Sequence, residues 1–286
     1  MQIGVVFPQT EIGSDPGAVR AYADAVGALG YRHLLAYDHV VGADPKVHAG
    51  WNGPYNIHDT FHEPMVLFGY LAGISDLELV TGIVIAPQRQ TVLLAKQAAE
   101  VDVLTGGRLR LGVGLGWNRL EYEALGKEFS DRSKRVVEQV TLLRKLWSDE
   151  SVTFEGDYEQ VRGVGLSPMP IQRPIPVWFG GVAPSALRRI GRIADGWFPL
   201  VPLGPDLEKA IGVVQESAAK AGRPTVPIEG RVTVTTARGE ILEKEVRQWR
   251  DLGARYVSLN TMRQGYGTVD EHIGALTEAA QVVFSV

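Results

Sequence analysis

The sequence predicts an α/β fold, a TIM (β/α)8 barrel, on three observations. Eight short apolar runs rich in β-branched residues alternate with stretches of helical period along the whole chain. The connections between them are mostly short, as a parallel sheet closed on itself requires. No Pro/Gly/Ser-rich linker divides the 286 residues, a length one barrel can use in full, so 1–286 is expected to be one domain.

In chain order the expected strands are 3–7, 33–37, 79–85, 108–113, 176–179, 196–200, 229–235 and 255–260. Between and after them, 18–29, 63–74, 92–104, 133–147, 185–193, 207–221, 241–252 and 269–283 read as amphipathic helices, with Val136, Val140, Leu143 and Trp147 forming one apolar face. Two insertions break the repeat. The first, 41–61 after strand 2, is polar and contains Gly42, Pro45, Gly50, Gly53 and Pro54 with Trp51 and Tyr55. Loops of that length are usually functional or disordered. The second, 151–174 before strand 5, contains a hairpin-like Thr153–Tyr158 followed by Pro168, Pro170 and Pro174. Both are expected to shape or cover the barrel mouth.

Composition narrows the function classes. With 29 basic and 33 acidic side chains and no block of Lys and Arg, the chain lacks the basic face of a nucleic-acid protein. No apolar stretch approaches the roughly 20 residues of a membrane helix, and Met1 leads directly into a strand-like run. A cytoplasmic protein free of membrane is therefore expected. The absence of Cys excludes disulfides, thiolate metal sites and cysteine nucleophiles. The 33 glycines exceed ordinary usage of about 7% without a collagen-like period, which assigns the excess to turns and binding loops.

In such a barrel reactive residues belong at the C-terminal ends of the strands. Strand 2 ends in Tyr37-Asp38-His39, an acid beside a group able to exchange protons near neutral pH; the same dipeptide also suits a surface turn. Strand alternation forbids both side chains from pointing inward unless the backbone bends. Strand 4 runs into Gly112-Val113-Gly114-Leu115-Gly116-Trp117-Asn118, where glycines permit close approach and Trp117 could wall an aromatic group; a glycine-rich barrel corner reads the same way. Two loops compete for a phosphate: Gly180-Gly181 with the helix start at Ser185, and Thr235 to Gly239. His58 and His62 are four apart with Glu63 following, but no further ligand stands elsewhere at a diagnostic spacing and Pro64 marks a helix start, so no metal site is expected.

Taken in order, Tyr37-Asp38-His39, Thr81 to Pro87, Leu93 to Ala99, Val103 to Leu109 with Gly112 to Asn118, Pro176 to Gly181 and Ala194 to Pro199 resemble the luciferase-like oxidoreductases over nearly the whole chain. The Asp-His pair is similar to the branch that uses the deazaflavin coenzyme F420. The resemblance implies a flavin or deazaflavin across the barrel mouth, with Asp38 at the ring edge, His39 facing the reacting carbon, and Gly180 and Gly181 on the phosphate side. It also implies Asn118 at the ring or ribityl chain, Gly114 and Gly116 along the cofactor, and a non-proline cis peptide in strand 3, expected between Ile83 and Val84.

Sugar-phosphate dehydrogenases of the branch carry an acid where Trp117 stands here, and no basic cluster for a substrate phosphate is evident. Trp51 and Trp117, with Tyr55 and Phe61, favour a small apolar or aromatic substrate instead. The implied activity is hydride transfer between F420 and that substrate, with His39 handling one proton. An FMN-dependent monooxygenase and a non-catalytic flavin-binding protein are the alternatives, and a homodimer is expected by analogy.

Overall fold

The computed structural model describes residues 1–235 and 239–285. The parallel sheet is built from β1 (Gln2–Val6), β2 (His33–Ala36), β3 (Glu78–Thr81) continued by β4 (Val84–Ile85), β5 (Leu109–Gly114), β8 (Val177–Gly180), β9 (Gly196–Phe198), β10 (Glu229–Thr233) and β11 (Tyr256–Asn260). Hydrogen-bonded order runs β10-β11-β1-β2-β3-β5-β8-β9, and β4 pairs with β5. Trp197 closes the ring: its amide donates to Pro227 O at 3.0 Å and it bridges Ile228, the residue before β10.

The helices are α1 (Pro16–Ala28), α2 (Pro64–Ala72), α3 (Thr91–Leu104), α4 (Arg119–Ala124), α5 (Arg132–Ser148), α6 (Pro184–Ile193), α7 (Pro205–Lys220), α8 (Gly239–Asp251) and α9 (Val269–Val283). Local chemistry sets their starts. Asp15 accepts from Gly17 N before α1, Glu63 accepts from Val66 N before α2, and Thr268 with Glu271 forms a capping box at α9. Glu63 thus serves the helix start that Pro64 announced, while His62 Nε2 lies 3.3 Å from Gly13 O.

Period-two alternation divides the strand residues between two cores. Outward side chains such as Val5, Leu34, Leu79, Leu111, Val177 and Leu259 pack beneath the helices. Inward ones, Val6, Leu35, Val80, Trp178, Phe198 and Tyr256, fill the barrel. Below them the N-terminal end is plugged by Arg110, which pairs with Glu229 and with Glu78 (3.0 Å) and stacks on Trp178 and Tyr256. His33 Nε2 and Ser258 Oγ complete the network at 2.9 Å. Burial opposes the charge on Glu229, but Arg110 and His33 outweigh it and hold its carboxyl far below the carboxylate range. With that end sealed, an opening for a ligand lies at the C-terminal mouth.

Three expectations need correction. The strand expected at 79–85 is broken into β3 and β4, and the cis peptide joins Gly82 and Ile83, one residue before the expected Ile83–Val84 bond. The shift follows the glycine, because a Cβ at 82 would lie 2.2 Å from Leu35 Cδ2. The hairpin of the second insertion exists, β6 (Val152–Glu155) with β7 (Gln160–Val164), but none of its residues lines the cavities at the mouth. Its turn is held on the barrel's flank by α5, where Glu138 accepts from the amides of Asp157 (3.0 Å) and Tyr158 (2.9 Å). Between β5 and α5 a short helix, α4, directly follows the glycine run of 112–118.

Candidate active site

A cavity of about 370 Å³ opens at the C-terminal mouth, lined by Asp38, His39, Ile83, Ile85, Trp117 and Arg231 among others. A second, of about 320 Å³, lies behind His39 against Asn56, Phe61 and Asn118. β2 ends at Ala36, so residues 37–39 lie beyond the strand and its alternation no longer constrains them. Asp38 and His39 therefore both border the larger cavity.

Asp38 is 4% exposed and both of its oxygens are engaged: Oδ1 accepts from Arg89 at 2.8 Å and Oδ2 from Ile85 N at 3.0 Å. Burial raises its carboxyl above the ordinary value despite Arg89 and the Ile85 amide. Asp38 thus ties the end of β2 to β4, while Arg89 reaches on to Glu63 at 2.7 Å and anchors the start of α2.

His39 stands in an aromatic box, with ring centroids 4.7 Å from Phe61, 4.9 Å from Tyr55 and 5.7 Å from Trp117. Its Nδ1 is 3.7 Å from Oε1 of Glu121, a fully buried carboxylate on α4. Glu121 also accepts from Val40 N and, at 3.1 Å, from Gln88 Nε2. Burial alone would raise that carboxyl; His39, the Val40 amide and Gln88 outweigh it and hold it below its ordinary value. An anion fixed behind one imidazole nitrogen orients the ring. Glu121 escaped the sequence reading, although Asn118 three residues earlier supplies a helix-capping spacing that would have placed α4.

Asn118 caps that helix, its Oδ1 accepting from Leu120 N (3.1 Å) and Glu121 N (3.4 Å). Its side-chain oxygen thereby serves the positioning of Glu121. The glycines of β5 also have local partners. A Cβ at 114 would lie 2.5 Å from Ile83 Cδ1, and one at 116, where φ is 66°, 2.9 Å from Ile85 Cγ2. Their absence lets Ile83 and Ile85 sink into the wall as an apolar floor. Gly180 faces Ile83 from the other side, and Gly181 is tied by its carbonyl to Trp197 Nε1 at 3.0 Å; neither lines the cavity. The competing phosphate loop includes residues 236–238, which lie outside the described residues. Val84 lies in β4 behind the floor, fully buried against β5. Trp117 is 42% exposed at the rim, and Trp51 stands behind it at 5.8 Å, its Nε1 donating to Tyr55 O.

The chain matches the luciferase-like monooxygenase family over residues 1–281. It belongs to that family. An uncharacterized protein of Mycobacterium tuberculosis is 32% identical over 213 residues, covering 72% of this chain and 73% of its own. An F420-dependent glucose-6-phosphate dehydrogenase of Microbacterium testaceum is 32% identical over 176 residues (58% and 52%). An FMNH2-dependent dimethylsulfone monooxygenase of Pseudomonas fluorescens is 34% identical over 143 (48% and 39%). Among solved structures, the monooxygenase RslO1 of Streptomyces bottropensis superposes with TM-score 0.79 at 17% identity, over 100% of this chain and 99% of its own. An F420-dependent secondary alcohol dehydrogenase, solved with an F420-acetone adduct, gives 0.79 at 18% identity over 99% and 98%. At such identities these structures speak to the fold alone. No helix among the described residues is long and apolar enough to cross a membrane.

Proposed function

We propose that this protein is an oxidoreductase that passes a hydride between coenzyme F420 and a small organic substrate, with His39 as the proton donor or acceptor. The observation that carries the reading is the His39–Glu121 pair at the wall of a cavity whose floor is apolar. The Asp38-His39 sequence, on which the likeness to the F420 branch rests, favours the deazaflavin over FMN. The cavity suits a planar ring: Ile83 and Ile85 form a floor that only glycines at 114 and 116 permit, and about 370 Å³ lies within the range of small-molecule sites. Bound there, the deazaflavin would supply a ring carbon able to give or take a hydride.

The chain's own part is to orient and to move one proton. Ile83, Ile85 and Trp117 would hold the ring, with Gly180 and Gly181 taking the phosphate side at the β8 exit. Asp38, engaged by Arg89 and the Ile85 amide, fixes the mouth of β2 so that His39 faces the cavity. Glu121 behind Nδ1 leaves Nε2 as the atom that gives or receives the substrate's proton.

Titration of the purified protein with F420 and with FMN, followed by fluorescence quenching, tests the cofactor choice. Tight F420 binding supports it, whereas tight FMN binding without F420 binding assigns the chain to oxygen-using chemistry. His39→Ala should leave cofactor affinity nearly intact and suppress turnover. A protein that binds cofactor but exchanges hydride with no substrate would be a carrier, and the catalytic assignment of His39 would fall.

A further inference from the structure

We propose that Arg231 is the substrate-recognition residue of this site and that the substrate is an organic acid, an apolar or aromatic body bearing one carboxylate. This rests on the oxidoreductase reading above and specifies its substrate class. Arg231 pairs in register with Ser258, whose hydroxyl joins the network inside the barrel, so the Arg231 side chain also points inward. It lines the 370 Å³ cavity and also a neighbouring cavity of about 650 Å³ between the 199–203 loop, α8 and α9.

Among the described residues its charge has no carboxylate counterpart. Among the described residues Arg231 makes no ion pair and no hydrogen bond, its Nε is buried without a partner, and the guanidinium lies 5.2 Å from the Tyr37 ring. Glu245 and Glu278 border the larger cavity but are not paired with it. The acid lining the smaller cavity, Asp38, is already neutralised by Arg89. Arg263 adds a second cation at the rim, over Tyr55 at 4.7 Å and donating to Pro54 O at 2.6 Å. The cavity is therefore cationic, and a half-buried guanidinium left unpaired is costly unless a ligand supplies the acceptor.

Position separates this cation from the cofactor. In the strand order β10 is four places around the barrel from β3, so Arg231 faces the cavity from the wall opposite the Ile83–Ile85 floor. A ring lying on that floor leaves the guanidinium on the side where substrate enters. A planar fork of N–H donors matches a carboxylate in bidentate fashion, and a single such group suits a monoanion. Tyr37, Leu200 and Met262 beside it would cover the apolar body.

The test compares benzoate with its uncharged analogue benzamide, each titrated into cofactor-loaded protein and followed by calorimetry. Wild type should bind benzoate at least about ten-fold more tightly, the scale of one charge-assisted hydrogen-bonded pair. Arg231→Gln should lose that preference while keeping its affinity for benzamide and for the cofactor. Arg231→Lys should keep part of the preference, and it serves if the Gln variant does not fold. Equal binding of the two probes by wild type overturns the proposal. So does an Arg231→Gln protein that keeps the benzoate preference, or one that loses cofactor affinity instead. If neither F420 nor FMN binds wild type, the oxidoreductase reading fails, and the benzoate preference measured on the protein alone still decides the role of Arg231.

Discussion

Replacing Gly114 with Ala tests whether the cavity floor depends on a missing Cβ. The new methyl would sit 2.5 Å from Ile83 Cδ1 and 2.8 Å from Cγ1, where apolar carbons rest at about 3.5–4.0 Å. β5 is paired with β3, β4 and β8, so the strand cannot retreat, and Ile83 must swing into the cavity. Overpacking of this kind costs about 1–3 kcal/mol. Ile83→Ala alone removes a half-buried side chain and should cost about 1–2 kcal/mol, below the range for a fully buried one. In the double variant the closest remaining atom of residue 83 is its Cβ, at 3.7 Å, which is ordinary contact. The penalty of Gly114→Ala should then vanish, and the double variant should be more stable than the sum of the singles by about 1–3 kcal/mol. Urea denaturation of the four proteins, followed by circular dichroism, measures this. Additivity within about 0.5 kcal/mol would refute the argument that Gly114 exists to admit Ile83.

Three further perturbations follow from the same geometry. Arg89→Met leaves the Asp38 carboxylate buried without its cation and should cost about 3–5 kcal/mol at pH 7. Because the folded-state pKa of Asp38 already lies above its unfolded value, stability falls as pH climbs between the two; removing Arg89 widens that interval, so denaturation midpoints should show a deficit that grows from about pH 4 to pH 7. Glu121→Gln removes a carboxylate whose folded-state pKa is depressed, so its stability deficit, about 1–3 kcal/mol above the unfolded carboxylate value, should shrink as acid titration passes the folded value; a deficit that does not change with pH would deny the charge a role. Trp197→Phe deletes the hydrogen bond to Gly181 O and should cost at least about 1 kcal/mol, read from urea denaturation; an unchanged midpoint would deny that bond a role.

The sequence by itself determined the architecture, because burial imposes its period wherever a strand has two faces or a helix one stripe. The eight strands, the third of them broken in two, the eight principal helices and the two insertions are found, with ends displaced by a few residues. It also singled out the exit of β2, since a parallel barrel puts reactive side chains at strand ends, and Asp38 and His39 there do border the mouth cavity. The tertiary structure decided what those residues touch. Arg89 and Glu121, 51 and 82 positions away from Asp38 and His39, meet them only because β2, β3 and β5 lie side by side, and no local pattern encodes a contact across strands. The cis peptide fell one residue from its expected place because the packing of Leu35 beneath Gly82, rather than the motif, fixes where a side chain can be absent. Arg231 lies within the expected strand 229–235, and only the closed barrel turns it inward, where among the described residues its charge has no carboxylate partner.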